Sequence, residues 1–286
     1  LDYFIDIVEK ENIKSSFFVL GEIAKKNIDF YSDLSSSGHD ISSHGWNHLR
    51  PMTLSLEDFT TDINNSYEVL KKINTNKAFG YRAPCFSIDS KRLSIVEKTG
   101  FSYDSSKIEF GDHPLYENLD LNAFSKHSDG IFYRNKFLEF EVSTHKIFDR
   151  NIPISGGGYL RILPWYLFKS LLKKYIENND LYVLYIHPFE LSELASPDIQ
   201  KLTSPINKFR FNYGRNKVKE RILKTLHILD ENGFALVDST VHILDLPKYR
   251  QQKGKYKNYP FRFWAGNKLL GGYSDHLAVK VDFVIK

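Results

Sequence analysis

Short apolar runs alternate with amphipathic helical patterns along most of this chain, and that alternation restricts its fold more than any other feature. Buried strands are predicted at residues 16–20, 39–43, 79–82 and 181–186, with helical periodicity between them. Parallel strands need long crossover connections, which are usually helices, and strands that are apolar on both faces need cover on both. The sequence therefore predicts an α/β fold with parallel strands, and the pattern fits an open sheet and a barrel equally well.

Capping residues and spacing predict where the helices begin. Ser55 and Asp89 are predicted N-caps, and Pro164 is predicted at the first position of a later helix. Helical periodicity also covers residues 23–34, as a single helix, and residues 215–230. A half-buried strand is predicted where apolar residues alternate at Leu138, Phe140 and Val142.

Length and composition restrict the domain organisation and the partners. With 286 residues, of which 42% are hydrophobic, the chain can bury the core of one large α/β domain, with or without an appendage. A net charge of +4 is too small to indicate nucleic acid or an anionic membrane as a partner. Cys85 is the sole cysteine, which excludes an intrachain disulfide. No apolar run approaches the roughly 20 residues of a transmembrane segment, and both a cytoplasmic and a cell-envelope location stay open.

The composition changes after Ile243. Residues 247–257 carry five basic residues and no acidic one, and proline and glycine residues follow. We therefore divide the chain into a domain of residues 1–243 and an extension of residues 244–286. In that extension, a basic linker is predicted to lead to a closing strand at residues 277–285.

His44 and His48 are the first candidates for chemistry, because they directly follow the second predicted strand. Two histidines four residues apart can direct both imidazoles at one metal ion if a helical turn begins there. Active sites of parallel β-α folds also lie at the carboxyl ends of the strands. The alternative is a pair of surface histidines without a shared function, and two histidines alone do not complete a catalytic zinc site.

Arg82 and His187 also follow predicted strands. An arginine at such a strand end can fix a carboxylate through two parallel hydrogen bonds, and the alternative is a structural salt bridge. A histidine in that position can act as a general acid, and the alternative is a histidine satisfied within the core. Each signal is weak alone, but all of them fall at the ends of different predicted strands.

Four segments occur in the order found in a known family. They are residues 15–21, 38–48, 80–88 and 185–190, which read SSFFVLG, GHDISSHGWNH, GYRAPCFSI and YIHPFE. They resemble the NodB-homology polysaccharide deacetylases, also called carbohydrate esterase family 4, and the resemblance covers about residues 1–240. Residues 103–106 (YDSS) and 156–161 (GGGYLR) resemble the branch found in exopolysaccharide loci.

The resemblance implies a distorted (β/α) barrel that hydrolyses the N-acetyl group of an amino sugar in a polysaccharide or oligosaccharide. It implies that His44 and His48 are ligands of a divalent metal, usually zinc. It also implies that Arg82 orients a catalytic aspartate and that His187 protonates the leaving amine. The candidate substrate-binding residues are Tyr81, Pro84, Phe86 and Tyr159.

The chain departs from this family at its start. The family's first motif is a strand that ends in two nearby aspartates and precedes the first helix, whereas here a helical pattern begins at Leu1. Asp2 and Asp6 lie within that pattern and are poor substitutes. We therefore expect the first barrel strand to be missing from this sequence. We also expect the chain as it stands to bind metal weakly and to hydrolyse little.

The extension resembles a second family. Residues 247–286, which include the sequence Ser274-Asp275-His276, resemble the C-terminal end of the endonuclease/exonuclease/phosphatase family. So short a segment cannot supply the other catalytic groups of that fold. Two alternatives to a deacetylase stay open, an inactive carbohydrate-binding barrel and a phosphodiesterase suggested by the extension. A further hypothesis is that the closing strand takes the vacant first-strand position, with Asp282 standing in for one missing aspartate.

Overall fold

The computed structural model describes residues 14–74, 78–111, 116–147, 149–179, 181–191 and 212–234, together with residues 205, 209, 264–265, 268–269 and 277–281. The strands are β1 (Ser16–Val19), β2 (Asp40–Ser43), β3 (Gly80–Tyr81), β4 (Tyr103–Asp104), β5 (Ser125–Ser128), β6 (Ile131–Arg134), β7 (Phe137–Phe140), β8 (Thr144–Ile147), β9 (Arg150–Pro153), β10 (Tyr182–Ile186), β11 (Trp264–Ala265), β12 (Lys268–Leu269) and β13 (Leu277–Val281). The helices are α1 (Gly21–Lys26), α2 (Ile28–Ser36), α3 (Leu56–Ile73), α4 (Ser90–Thr99), α5 (Gly157–Ile162), α6 (Trp165–Ile176), α7 (Pro188–Leu191) and α8 (Val218–Glu231).

The central sheet has the strand order β1-β2-β3-β4-β7-β6-β5. Its first five strands are parallel, and β6 and β5 extend it as antiparallel hairpin strands. This arrangement confirms the predicted α/β fold with parallel strands. Among the described residues the ladder ends at β1 and at β5 without closing, so the predicted barrel is not confirmed.

Strand β10 stands outside that ladder. It pairs antiparallel with β13, and its Tyr185 forms a parallel bridge with Gly156. Strand β13, which was predicted as the closing strand, also lies beside β1. Asp282 lies outside the described residues, so its hypothetical role stays a prediction.

The two faces of the parallel strands pack into two different apolar clusters. Phe17 and Val19 of β1 belong to the larger cluster, which the helices cover. Phe18 points to the opposite face and joins a second cluster with Tyr103 of β4 and Val183 of β10. Alternation along a strand sends successive side chains to opposite faces, so both faces of β1 are buried. Strands β1 and β10 therefore both contribute side chains to the second cluster.

Two of the predicted helix starts are confirmed by capping hydrogen bonds. The Ser55 hydroxyl accepts from the backbone of Asp58 at 3.0 Å, and the Asp89 carboxylate accepts from the backbone of Arg92 at 2.8 Å. Pro164, in contrast, is the N-cap of α6 and not its first helical residue. The prediction was therefore one residue early, within the usual uncertainty of helix boundaries.

The single helix predicted over residues 23–34 was wrong, because the chain breaks at Asn27 into α1 and α2. The Asn27 side chain donates to the Ile23 carbonyl at 2.9 Å, and its backbone N–H bonds to Ala24. Asparagine side chains satisfy backbone carbonyls at helix ends in this way. The apolar periodicity continues across the break, and so it conceals the break in the sequence.

The strand predicted from Leu138, Phe140 and Val142 ends earlier than the alternation suggests. Strand β7 ends at Phe140, and Val142 forms an isolated bridge to Ile108. Leu138 is exposed, whereas Glu139 is completely buried. The buried acid accepts backbone hydrogen bonds, which offset the cost of its burial.

Some predicted features lie outside the described residues: the helix from Leu1, the basic linker and the Ser274-Asp275-His276 motif. In the part of the chain that the structure describes, no helix combines the length and the apolar character needed to cross a membrane.

Candidate active site

Three of the predicted site residues lie directly after the carboxyl end of a strand. His44 follows β2, Arg82 follows β3 and His187 follows β10. The backbone N–H of His44 bonds to Val19 at 2.8 Å, and that of Arg82 bonds to Ser43 at 2.9 Å. The first residue after β2 and the first residue after β3 therefore continue the hydrogen bonding of the sheet. His187 follows β10, whose Tyr185 ring packs 5.4 Å from the Phe86 ring in the turn after Arg82. The structure thus brings the His44, Arg82 and His187 segments to neighbouring strand ends, as predicted.

His44 and His48 face each other, but no helical turn brings them together. Their ring centroids are 5.1 Å apart. The loop between them is turned by Gly45 (φ +78°) and by His48 itself (φ 65°), both in the left-handed region. A non-glycine residue seldom adopts that conformation, and such residues cluster at functional sites.

The tautomer of His44 is set by its neighbour in the sheet. Its Nδ1 lies 2.7 Å from the carbonyl oxygen of Arg82, so Nδ1–H donates to that carbonyl. In the neutral ring this leaves Nε2 as the nitrogen with a lone pair. Histidines that bind metals usually donate their other ring N–H to a carbonyl or carboxylate in this manner.

Residues of two helices form hydrogen bonds with the backbone of the His44–His48 loop. Asp62 of α3 accepts from the backbone N–H of Trp46 at 2.7 Å, and Gly21 at the start of α1 donates to the Gly45 carbonyl at 2.9 Å. Burial raises the pKa of Asp62 to about 6, and the Trp46 hydrogen bond opposes that rise only in part. The loop conformation is therefore determined by the surrounding helices as well as by its own sequence.

The two imidazoles fit part of a metal centre. Their positions and the tautomer of His44 suit a divalent ion such as zinc, which accepts neutral imidazole ligands. Within the described ranges, however, no group of three or more His, Cys, Asp or Glu side chains could hold a metal ion. His44 and His48 can thus supply two ligands, and the described residues do not provide a third.

Arg82 is almost fully buried beneath this edge. Its Nε donates to the Ser105 carbonyl at 2.7 Å and its Nη2 to the Ser105 hydroxyl at 2.5 Å, while the guanidinium lies 4.5 Å from the Phe18 ring. Among the described residues, Nη1 has no hydrogen-bond partner. Burial lowers the pKa of Arg82 to about 10, although nearby acidic groups, including Asp104, oppose the fall. The buried Nη1 is suited to a carboxylate acceptor.

A buried pair of carboxyl groups lies behind Arg82. Asp104 accepts from the Ser106 hydroxyl at 2.8 Å, and Glu139 accepts from the Lys107 backbone at 2.8 Å. Burial raises the pKa of Asp104 to about 6, and burial together with the charge of Asp104 raises the pKa of Glu139 well above its ordinary value. The pair therefore keeps a proton to a higher pH than two separate, exposed carboxyl groups would.

His187 is held by a buried ion pair that the motifs alone do not reveal. Its ring Nδ1 lies 3.1 Å from Glu190, and Arg161 lies 3.0 Å from the other oxygen of the same carboxylate. Burial alone would raise the pKa of Glu190, but the hydrogen bonds and charge of His187 and the charge of Arg161 outweigh burial and lower it. Glu190 is therefore ionised at neutral pH.

The glycine run at residues 156–158 makes room for this ion pair. A Cβ atom on Gly157 would overlap the Glu190 carboxylate, whereas a Cβ on Gly158 would meet only one Glu190 oxygen, at 3.9 Å. We therefore expect Gly157→Ala to lower the free energy of unfolding by at least about 2 kcal/mol, as overpacking does. Urea denaturation would measure this change.

The neighbouring Gly158→Ala is the matched control for that prediction. It lies in the same helix, α5, and alanine is favoured over glycine in a helix by about 1 kcal/mol. We expect Gly158→Ala to be neutral or stabilising. Equal losses in the two variants would mean that the close approach of Glu190 does not explain the glycine.

The four candidate substrate residues differ in accessibility. Tyr81 is fully buried and packs against Phe59 and Phe101, so its ring offers no surface to a sugar. Pro84 and Phe86 are buried as well. Tyr159 is partly exposed and lies 6.4 Å from the Phe110 ring. Of the four, only Tyr159 therefore has the exposure that sugar stacking requires.

Sequence reasoning missed Glu190, Arg161, Asp104 and Glu139 as parts of the site. Glu190 and Arg161 are the last residues of the motifs YIHPFE and GGGYLR. The two residues are 29 positions apart in the sequence, and that separation gives no sign that they pair. The position of Glu190 three residues after His187 was the available signal, since one helical turn brings such residues together.

The fold and the site together define an α/β protein with two histidines and an arginine at the carboxyl edge of a parallel sheet. Family models match three segments of this chain. Residues 1–103 match the model described as Polysaccharide deacetylase, and residues 113–241 match a domain of unknown function, DUF3473. Residues 215–284 match the Endonuclease/Exonuclease/phosphatase family. The comparisons thus support a polysaccharide deacetylase domain in the first part of the chain.

Individual relatives are of the same kind. Chitin deacetylase 1 of Cryptococcus neoformans is 29% identical over 98 residues, which cover 34% of this chain and 21% of that protein. The peptidoglycan deacetylase of Helicobacter pylori is 21% identical over 112 residues, covering 39% of this chain and 38% of that protein. The chain thus spans less than half the length of these curated relatives. A carbohydrate esterase family 4 pseudoenzyme from Bacillus anthracis aligns with a TM-score of 0.45 at 10% identity, covering 81% of this chain and 56% of that one.

Proposed function

We propose that this chain belongs to a metal-dependent hydrolase that removes N-acetyl groups from amino sugars of a glycan such as chitin, peptidoglycan or an exopolysaccharide. The observation that carries the proposal is the His44 imidazole, whose Nδ1 is held by the Arg82 carbonyl while His48 lies opposite. The match of residues 1–103 to polysaccharide deacetylases supports it, since those residues include both histidines and Arg82.

Each residue then has a defined task. His44 and His48 would hold the metal, and zinc is the ion we expect. When bound, such an ion polarises a carbonyl and lowers the pKa of water. Arg82 would orient a carboxylate through Nη1, and that carboxylate would take the proton of the attacking water. His187 would protonate the leaving amine.

Removal of either metal ligand tests the proposal. We expect His44→Ala and His48→Ala each to weaken zinc binding at least about 10-fold, because even the loss of an outer partner of a ligand has effects of that size. Isothermal titration calorimetry with zinc would measure the affinity. The same variants should lose acetate release from chitin oligosaccharides and peptidoglycan fragments, measured with the protein expressed from its complete reading frame.

His227→Ala is the control, because His227 is exposed on α8 and remote in sequence from the site. It should leave both zinc affinity and acetate release unchanged. If all three variants bind zinc as the wild type does, the assignment of His44 and His48 is wrong.

An inactive carbohydrate-binding protein is the second candidate. It is favoured by the lack of a third metal ligand, and of an acceptor for Nη1 of Arg82, among the described residues. Binding of an N-acetylated oligosaccharide without any release of acetate by the wild type would support it. The phosphodiesterase alternative rests only on the match of residues 215–284.

A further inference from the structure

We infer that Glu190 is a positioning residue for His187, and that Arg161 holds the Glu190 carboxylate in place. The inference concerns the orientation and tautomer of His187. Its consequence for catalysis rests on the proposed function, in which His187 gives a proton to the leaving amine.

The Glu190 carboxylate is bound to both the backbone and the ring of His187. Its Oε2 accepts from the His187 backbone N–H at 2.9 Å and lies 3.1 Å from ring Nδ1. The backbone N–H of Glu190 in turn donates to the His187 carbonyl at 3.0 Å. These contacts close a short loop between the end of β10 and helix α7. One carboxylate oxygen thereby fixes the ring relative to the strand that carries it.

These contacts select one tautomer. Because an ionised carboxylate only accepts hydrogen bonds, His187 must carry a hydrogen on Nδ1. Nε2 is then the nitrogen that gains and gives the second proton of the imidazolium.

Arg161 completes the arrangement from helix α5. Its Nε lies 3.0 Å from Oε1 of Glu190, and its Nη1 donates to the Tyr213 carbonyl at 2.9 Å. The charged groups that act on Glu190 include Arg161, Arg215 and His187, and Tyr185 also interacts with Glu190 electrostatically. A carboxylate buried to this degree would take up a proton without a cation beside it. Arg161, together with His187, thus keeps Glu190 ionised as an acceptor.

An ion pair with a purely structural role would show the same distances. The test must therefore measure the tautomer of the His187 ring directly. We propose to compare Glu190→Leu and Glu190→Gln with the wild type by ¹⁵N NMR of the His187 ring nitrogens. Leucine removes the acceptor, and we expect the neutral ring to shift from the Nδ1–H tautomer towards Nε2–H. Glutamine keeps a carbonyl acceptor and should retain the Nδ1–H tautomer in a folded protein.

Acetate release then separates this inference from the proposed function. With Glu190→Gln we expect kcat to fall about 10- to 100-fold, as after loss of a partner that orients a reactive group, with KM little changed. Glu177→Leu, at an exposed acid beyond α6, should change neither the His187 spectrum nor kcat.

Two outcomes are decisive. An unchanged Nδ1–H tautomer in Glu190→Leu would overturn the inference, because some other group would then set the ring. A tautomer change in Glu190→Leu with full acetate release would support the positioning role of Glu190 and would refute the catalytic role of His187. If Glu190→Leu does not fold, loss of the Nδ1–H tautomer in Arg161→Met supports the inference and its retention opposes it.

Discussion

Replacing Arg161 by methionine is expected to lower the free energy of unfolding by about 3–5 kcal/mol at neutral pH, the usual cost of breaking a buried ion pair from one side. The Arg161 and Glu190 side chains are only 5% and 1% exposed. Methionine preserves much of the packing volume but leaves the Glu190 charge with His187 as its nearest partner. Urea denaturation at pH 7 would measure the loss.

A double variant shows whether the charge is the cause. In a Glu190→Gln background, Arg161→Met does not leave a buried carboxylate without its cation. The loss of unfolding free energy should therefore be smaller by about 2 kcal/mol, which is the size of coupling seen between contacting residues. Additive losses in the double variant would argue that Arg161 stabilises the protein through packing or through its bond to Tyr213.

Arg134→Met is the matched control for Arg161→Met. Arg134 also pairs with an acid, Glu97, at 2.5 Å, but those side chains are 22% and 20% exposed. Ion pairs that water reaches contribute at most about 1 kcal/mol. An equal loss in Arg134→Met and Arg161→Met would show that burial does not set the cost.

Acidification gives a second signature of the same pair. The folded structure lowers the pKa of Glu190, so its contribution to stability is present above the pKa of the unfolded chain and is lost as pH falls through the folded value. In Arg161→Met the carboxyl group can take up a proton more readily. The difference in stability between wild type and variant should therefore shrink as the pH is lowered.

Local signals in the sequence predicted the site better than they predicted its supporting residues. The caps at Ser55 and Asp89 depend on hydrogen bonds across three residues, so the sequence contains both partners. His44, Arg82 and His187 were found because each follows a strand, and the ends of strands are visible as breaks in apolar runs. Contacts between distant segments leave no such trace, and the 29-residue separation of Arg161 from Glu190 is an example.

Two failures have a common physical origin. A pattern of apolar residues treats every acid as exposed, and so it assigned Leu138 to the buried face next to Glu139. The structure buries Glu139 instead, and the backbone N–H groups of Ser106 and Lys107 donate to its Oε1. Similarly, a shared site for His44 and His48 was expected only if a helical turn began there, whereas the left-handed backbone at Gly45 and His48 brings the rings together. Neither a buried acid nor a positive φ is encoded in hydrophobic periodicity.

The Asp104–Glu139 pair leads to a prediction about pH. A carboxyl group whose pKa is raised on folding contributes stability that is present below the pKa of the unfolded chain and is lost as pH rises through the folded value. For Asp104 the rise from 3.8 to about 6 corresponds to about 3 kcal/mol. The pKa of Glu139 is also raised, which extends the loss to higher pH.

Glu139→Gln should remove the part of that dependence that comes from Glu139. Its amide oxygen can accept from Ser106 and Lys107 as Glu139 does, and its NH₂ group is a donor on the side of Asp104, which interacts with Glu139 in the folded protein. The substitution therefore imitates a protonated Glu139 that cannot ionise, whereas Asp104 can still titrate. Between pH 5 and pH 8 we expect it to lose less stability than the wild type by at least about 1 kcal/mol, since raising a pKa by a single unit already represents about 1.4 kcal/mol.

Urea denaturation at the two pH values would measure this difference, with Glu68→Gln as the control. Glu68 is exposed on α3, so its variant should follow the wild type at both pH values. If Glu139→Gln instead loses as much stability as the wild type, then the buried pair does not hold a proton near neutral pH. In that event Glu139 would be ionised beneath the sheet edge, and Arg82 would be the group that compensates its charge, because the two interact electrostatically in the folded protein.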